Sequence, residues 1–492
     1  MTVAKKAWCS ICGALICAAL VLTARAASDV ALPLAANLLL SIAAFCVATR
    51  VLRDKSVHAM FIAAGQRGID LNKRSTKRDA SGALVRPIVG IAIPEAQGTI
   101  VATIFVLTLA IFIPFAFVGH TPLDGTEETL ATFPHERLAH YLAALLTISL
   151  AAFMGFADDV LDLRWRHKLP IPFLAYLPML LVYHASGGAT GFALPTLPAP
   201  LQSWLPTALA EGWGSGGFVE LGIAFYAFLL LLAVFSTHAI NIYAGVNGLE
   251  CGQSVVIGLG VLLINVLQLA RTADASPQWA TYRSHHAQSL FIIVPFLATS
   301  FALLRANWWP AKVFVGDTYV NVYICFPFDI SVLCMTHDVC AIFLVFMFIR
   351  RYCYFAGMTF GTVCVVGHFT KTMVLLLLPQ GFNFIYSCPQ LFSKQTGVPC
   401  PRHRMPSYDA ERDVVLASTC RYKCDSSAFS TTSPNVSLHA PYPLPLLSLL
   451  STAGTPSCRC LGAPSSRCWA RCISPRSRPW QIRWAGRRIW CR

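Results

Sequence analysis

The chain has 492 residues, 55% of them hydrophobic and only 12% charged, with a mean hydropathy of +0.58. Soluble domains carry about 25% charged residues, so this composition excludes an ordinary soluble fold and points to a bilayer. The formal net charge of +15 does not imply nucleic acid, because Lys and Arg fall in short loops between apolar runs and in the tail.

In chain order, the segment from Met1 to Ala26 places Lys5 and Lys6 before an apolar stretch and Ala24-Arg25-Ala26. It reads equally well as a secretory signal or as an extra anchor. Crossing a bilayer takes roughly 17 to 25 apolar residues. Runs of this kind recur at Leu32 to Ala48, Thr99 to Gly119, Tyr141 to Ala157, Phe218 to Phe235 and Leu290 to Leu304, which predicts an all-α polytopic integral membrane protein. Loops rich in Lys and Arg stay in the cytosol. The loop from Arg50 to Arg86 is basic, the next from His120 to Glu136 is acidic, the next holds Arg164, Arg166 and Lys168, and that from His184 to Gly217 has no Lys or Arg. This alternation puts Leu71, Asp158, Asn241 and Asp317 on one cytosolic face. Many of the 19 cysteines lie inside apolar segments, where Cys acts as a small hydrophobe, and they support no redox assignment. No internal repeat is visible, which argues against a solenoid and gives no hint of duplicated transporter halves.

Ionised carboxylates at membrane depth cost roughly 2.5 to 3.5 kcal/mol each, so those that end a span are functional candidates. Asp158 and Asp159 end one apolar run and are followed by Asp162, Arg164, Arg166, His167 and Lys168. A lone acidic pair there commonly does no more than stop a helix. Three further clusters shift the balance. Asn241, Asn247, Glu250 and Gln253 lie among small residues at another boundary, with Gly245 and Gly248 permitting close approach of the backbone to a ligand. The strand-like stretch VFVGDT ends in Gly316 and Asp317, and Arg402, His403 and Arg404 form a cationic fork between prolines that suits a pyrophosphate. Carboxylates, amides and cations on one membrane face are what Mg2+-assisted phosphoryl transfer needs.

These motifs resemble the dolichyl-phosphate GlcNAc-1-phosphotransferases of the polyprenyl-phosphate sugar-1-phosphate transferase superfamily, glycosyltransferase family 4. The resemblance runs from about Leu32 to Tyr319 and from Cys353 to Pro406. It is carried by DLNK (70–73), IPEAQG (93–98), GFADDVLDLRWRHK, AINIYAGVNGLE, VFVGDT, YFAGMTF, GHFTKT and PCPRHRMP. It implies about ten transmembrane helices, an endoplasmic-reticulum location with the site facing the cytosol, and UDP-GlcNAc and dolichyl phosphate as substrates. No nucleic acid is implied, and a homodimer is compatible with it. It further implies Mg2+ held by Asn241 and Asp317, with Asp158 and Asp159 ordering Lys168 and the lipid phosphate. Lys168, Arg402, His403 and Arg404 would serve the phosphates and the sugar, Leu71, Asn247 and Phe314 the uridine pocket, and Glu95 and Glu250 the substrate site. His238 and Asp162 stand where the vertebrate members have asparagine; neither is a proposed metal ligand.

The sequence departs from the family in two places. Residues 320–352, or the same stretch one position earlier, have no family counterpart and read as a retained intron. After Thr419 the tail, rich in Ser, Pro, Cys, Arg and Trp, lacks a final span and reads as disordered or shifted in frame. The domain reading is therefore 1–27 signal or anchor, 28–319 and 353–406 catalytic, 320–352 insertion and 407–492 tail. The rival functions are an inactive scaffold, a transporter, whose polar groups would line the full depth, and a bacterial-type undecaprenyl-phosphate transferase, separated by acceptor preference.

Overall fold

The computed structural model describes residues 30–79, 85, 88–117, 133–160, 171–193, 218–242, 246–270, 277–316, 352–391, 407–409, 414–416, 481–484 and 487–490. The signal-like segment, Asp162, Lys168, Asp317, Arg402, His403, Arg404 and nearly all of the insertion lie outside them. The chain divides into two units, Met1–Ser448 and Leu449–Arg492. In the second, the described residues form one hairpin, β7 (Gln481–Trp484) with β8 (Arg487–Trp490).

The first unit is helical. Its elements begin with α1 (Ala31–Val51), the short α2 (Lys55–Ala63), the antiparallel hairpin β1 (Arg67–Ile69) and β2 (Ala92–Pro94), α3 (Gly98–Ala116), α4 (His135–Val160) and α5 (Ile171–Ala185). They continue with the hairpin β3 (Gly191–Ala193) and β4 (Phe218–Glu220), α6 (Ile223–Ile242), α7 (Leu249–Ala270), α8 (Pro277–Asn307), α9 (Tyr352–Val366), α10 (Thr370–Leu376) and α11 (Leu378–Leu391). A last hairpin joins β5 (Ser407–Asp409) to β6 (Val414–Leu416). Among the described residues, six helices (α1, α3, α4, α6, α7 and α8) are long and apolar enough to span a membrane, and α5 and α9 are shorter apolar helices. The protein is polytopic.

A helix must satisfy its own backbone bonds in hydrocarbon and can be apolar on every side. The helices do leave large side chains facing outward, among them Leu39 at 68%, Leu181 at 64% and Ile223 at 87% exposure, as a surface that meets lipid requires. Inside, α8 is the most enclosed span. Its Phe291 and Phe296 meet Phe112 and Phe105 of α3 with ring centroids 5.0 and 5.9 Å apart, and Phe296 also meets Phe355 and Phe360 of α9.

Two of the apolar runs are interrupted. Phe218–Glu220 pairs with 191–193 as a strand, and the left-handed turn at Gly222 (φ 53°) ends it before α6 begins. A further apolar stretch, 370–391, breaks at Leu377, two residues before Pro379, which has no N–H to continue the helical ladder.

Antiparallel contacts fix which ends lie together. The Tyr141 hydroxyl donates to the Leu109 carbonyl at 2.9 Å, setting the start of α4 beside the end of α3. Gln253 Nε2 donates to the Ile240 carbonyl at 3.0 Å, and the His238 and Tyr354 rings are 6.3 Å apart, so the end of α6 meets the starts of α7 and α9. One end of the bundle therefore gathers the β1–β2 hairpin, the starts of α3, α7 and α9, and the ends of α4, α6 and α8. At that end a Cβ on Gly98 would lie 3.0 Å from the Val315 carbonyl oxygen and 3.1 Å from the Tyr352 backbone nitrogen. Val315 and Tyr352 therefore lie side by side at this end, and α9 enters the bundle from the end at which the 311–316 stretch is held.

The crossing of α6 and α9 is the tightest. Gly357 and Gly361, one turn apart, face Thr237 and Ala233, and a Cβ on Gly357 would fall 2.4 Å from Thr237 Cα. Small residues at this spacing let helices approach closely in lipid. Gly357→Ala should therefore force the two backbones apart and destabilise the bundle by roughly 1 to 3 kcal/mol, the cost of overpacking a filled core. A melting temperature in detergent equal to the parent's would show the crossing to be loose. Deleting 320–352 leaves Tyr319 in the place of Tyr352, and because the flanking chain ends already meet, that variant should melt at or above the parent temperature. A clear loss of stability would show the insertion to be part of the packing.

Candidate active site

The site at this end is assembled from segments far apart in sequence. At the exit of β1, Asp70 is only 4% exposed. Its Oδ1 accepts the Asn72 N–H at 3.0 Å in an Asx turn, its backbone carbonyl accepts the Thr76 hydroxyl at 2.7 Å, and its Oδ2 accepts Asn247 Nδ2 at 2.9 Å. The last of these bonds joins the hairpin to the turn before α7. In that turn Gly248 adopts φ 84°, which favours glycine, and its N–H donates to Asn307 Oδ1 at 2.7 Å. Asn307, buried at the end of α8, also donates through Nδ2 to the Val313 carbonyl at 2.9 Å.

The stretch 311–316 is then laid against the hairpin. Phe314 N–H donates to the Pro94 carbonyl at 2.9 Å, Gln97 N–H to Phe314 at 3.1 Å and Gly98 N–H to Val315 at 3.2 Å. The sequence reads VFVGDT as strand-like. Its described residues, 313–316, make strand-like backbone bonds but join no sheet, because they pair with an irregular turn through Ala96 (φ 63°). Phe314 packs with Ile93 and Ala311, and a Cβ on Gly68 would strike its ring at 2.9 Å. Trp309 Nε1 donates to the Asn72 carbonyl at 2.9 Å, and Lys73 Nζ donates to the Ala311 carbonyl. Burial pushes Lys73 below the usual lysine range, with Lys312 adding to the effect and Asp70 opposing it.

Of the residues expected from sequence, Leu71, Glu95, Asn247, Glu250 and Phe314 all lie at this end. Leu71 follows Asp70, and its carbonyl accepts Arg78 Nη2 at 2.7 Å. Glu95, 6% exposed, sits in the turn before α3, and Glu250, also 6% exposed, is in the first turn of α7, where a helix N-terminus favours an acid. Asp158 and Asp159 fall in the last turn of α4, and Asn241 in the last turn of α6; their side chains are outside the described set. Asp317 follows the anchored Gly316, and the first turn of α9 spans the gap to α6, with Tyr352 near Val315 and Tyr354 near His238. The donors expected at a metal here, an amide oxygen and a carboxylate, are hard oxygen ligands of the type Mg2+ takes, so the residue set fits that cation.

The roles of Asp70 and Asn307 are absent from the sequence reading. Asp70 stands in the DLNK motif beside the residue singled out, and its place in that motif is the available signal, since the loop also carries Asp54 and Asp79. Asn307 ends an apolar helix in RANWWP, and nothing local distinguishes it from a simple cap.

The sequence profile described as Glycosyl transferase family 4 matches residues 141–325. The UDP-N-acetylglucosamine--dolichyl-phosphate N-acetylglucosaminephosphotransferase of Saccharomyces cerevisiae is 36% identical over 376 residues, covering 74% of this chain and 69% of its own length. The protein of that name from Dictyostelium discoideum is 35% identical, covering 71% of each chain, and that from Schizosaccharomyces pombe is 33% identical, covering 69% and 66%. With a bundle, a set of motifs and relatives that agree over most of the chain, this protein belongs to glycosyl transferase family 4, among the UDP-N-acetylglucosamine--dolichyl-phosphate N-acetylglucosaminephosphotransferases.

Proposed function

We propose that this chain transfers GlcNAc-1-phosphate from UDP-GlcNAc to dolichyl phosphate, releasing UMP, on the cytosolic face of the endoplasmic reticulum with Mg2+ as cofactor. The observation that carries the reading is the polar assembly around Asp70, Asn247 and Asn307 at one end of a lipid-facing apolar bundle. A reaction between a water-soluble nucleotide sugar and a membrane lipid needs such a meeting place at the bilayer surface.

Leu71, Asn247 and Phe314 would form the uridine pocket, with the buried Phe314 ring as its floor. Glu95 and Glu250 would border the sugar-phosphate site. Lys168, Arg402, His403 and Arg404 would bind phosphate oxygens and the GlcNAc moiety, the arginines in bidentate fashion. Asp158 and Asp159, at the end of α4, would orient Lys168 and the incoming lipid phosphate. Asn241 and Asp317 would hold Mg2+, which would supply positive charge to offset that of the phosphates. An oxygen of the lipid phosphate attacks the β-phosphorus in line, the bond from that phosphorus to the bridging oxygen breaks, and UMP departs with that oxygen. The attacking phosphate is already ionised near pH 7, since its second pKa is about 6, so no strong general base is required.

The direct test is Mg2+-dependent release of UMP by chain purified in lipid, given UDP-GlcNAc and dolichyl phosphate. No release from either the full chain or the chain lacking 320–352 would remove the assignment. Asp317→Asn and Asn241→Ala, made in whichever of these forms is active, should abolish release while the protein stays folded. Activity above about one tenth of the parent would exclude them as metal ligands, since losing tenfold needs only about 1.4 kcal/mol. Arg402→Lys keeps the charge and loses the fork, so kcat/KM should fall by about 1.5 to 3 kcal/mol in transition-state terms. Unchanged kinetics would place Arg402 outside the site.

A further inference from the structure

The Asp70–Asn247 contact carries chemical information that its length alone does not. A side-chain amide has one donor end and one acceptor end, and the two are interchangeable in shape. An ionised carboxylate has lone pairs only. When Asp70 Oδ2 lies 2.9 Å from the Asn247 amide, the NH2 group must be the end turned toward it, and Oδ1 must be the end turned away. Asp70 is itself prevented from turning, because its other oxygen accepts the Asn72 N–H and its backbone is tied by Thr76. The Asn247 backbone is fixed on its far side by the bond from Gly248 to Asn307. Asn247 remains partly open to solvent, and among the described residues nothing donates to its Oδ1.

Resting on the reading of Asn247 as part of the uridine pocket, we propose that Asp70 is a positioning residue that sets base specificity by locking the Asn247 amide with its oxygen toward the ligand. Uracil presents a donor at N3–H, whereas cytosine presents a bare acceptor at N3. A locked acceptor pairs with the first and meets the second lone pair to lone pair. A site built around one hydrogen bond rejects a ligand that leaves it unpaired far more strongly than a site that merely fits shape. An asparagine free to flip would serve both bases.

The test compares apparent Kd values for UDP and CDP, read from nucleotide-dependent thermal stabilisation of the full chain in lipid–detergent micelles. The parent should favour UDP over CDP by at least tenfold and should reject UDP methylated at uracil N3 to a similar degree. Equal binding of the methylated and unmethylated nucleotide by the parent would overturn the proposal without any variant. Asp70→Asn can either accept from or donate to Asn247, so its UDP-to-CDP preference should shrink at least tenfold. Asp70→Glu, still acceptor-only, should keep that preference within about threefold even if both affinities drop. A merely structural role for Asp70 would move melting temperature and both affinities together and leave the ratio alone. If Asn247→Ala weakens UDP binding but Asp70→Asn preserves the ratio, the positioning role is wrong while the pocket stands. If Asn247→Ala leaves UDP binding unchanged, the pocket reading itself fails.

Discussion

The buried side chain of Asn307 is the constraint on which the polar end depends. Its oxygen takes the Gly248 N–H and its nitrogen gives to the Val313 carbonyl, so one amide ties the turn before α7 to the stretch that leads into Asp317. An unmade buried bond would cost about 1 to 3 kcal/mol for each group left without a partner, and here two backbone groups depend on the same residue. With that amide in place, the 311–316 stretch has one register against 94–98, Phe314 has one position under the hairpin, and Asn247 comes within reach of Asp70. These loops are held between the short β1–β2 hairpin and a side chain anchored in the end of the most enclosed helix.

This arrangement divides the molecule by solvent. Within hydrocarbon, stability comes from close packing of small and aromatic residues, as at the Gly357–Thr237 crossing and the Phe105–Phe296–Phe355 cluster, since apolar burial brings little gain against lipid. At the end, it comes from polar groups that leave few alternatives for one another. The same crossing that brings α9 against α6 also places Thr237 one turn before Asn241, so the lipid-embedded packing sets the height of the expected metal ligand.

Much of this was legible in the sequence, for physical reasons. Bilayer thickness imposes a length on apolar runs, so α1, α3, α4 and α8 stand out directly, and the charge alternation of the loops orders them. Motifs led to Leu71, Glu95, Asn247, Glu250 and Phe314, which the fold brings to one end. What stayed hidden is what depends on partners distant in sequence. Asp70 and Asn247 are 177 positions apart, and no local pattern reports that they meet. The strand at Phe218–Glu220 was hidden because Phe218 and Val219 are as apolar as the helix that follows, and only the turn at Gly222 separates them. The break at Leu377 was within reach, since Pro379 is in the sequence, but a single proline is tolerated inside α3, α5 and α8, so its presence alone does not decide.

The meeting of Val315 and Tyr352 at Gly98 gives the chain a seam. Where two chain ends already touch, the length of what joins them hardly enters the energetics. For a flexible connection each doubling adds only about 0.6 kcal/mol of closure entropy. The bundle is therefore insulated from whatever the gene places between these two residues, whether two residues or many. New sequence can be acquired there, kept or lost by drift without the helices registering it. The liability is local, because in the sequence the seam begins one residue before Asp317, an expected metal ligand, so an addition that the bundle tolerates can still disturb the proposed site.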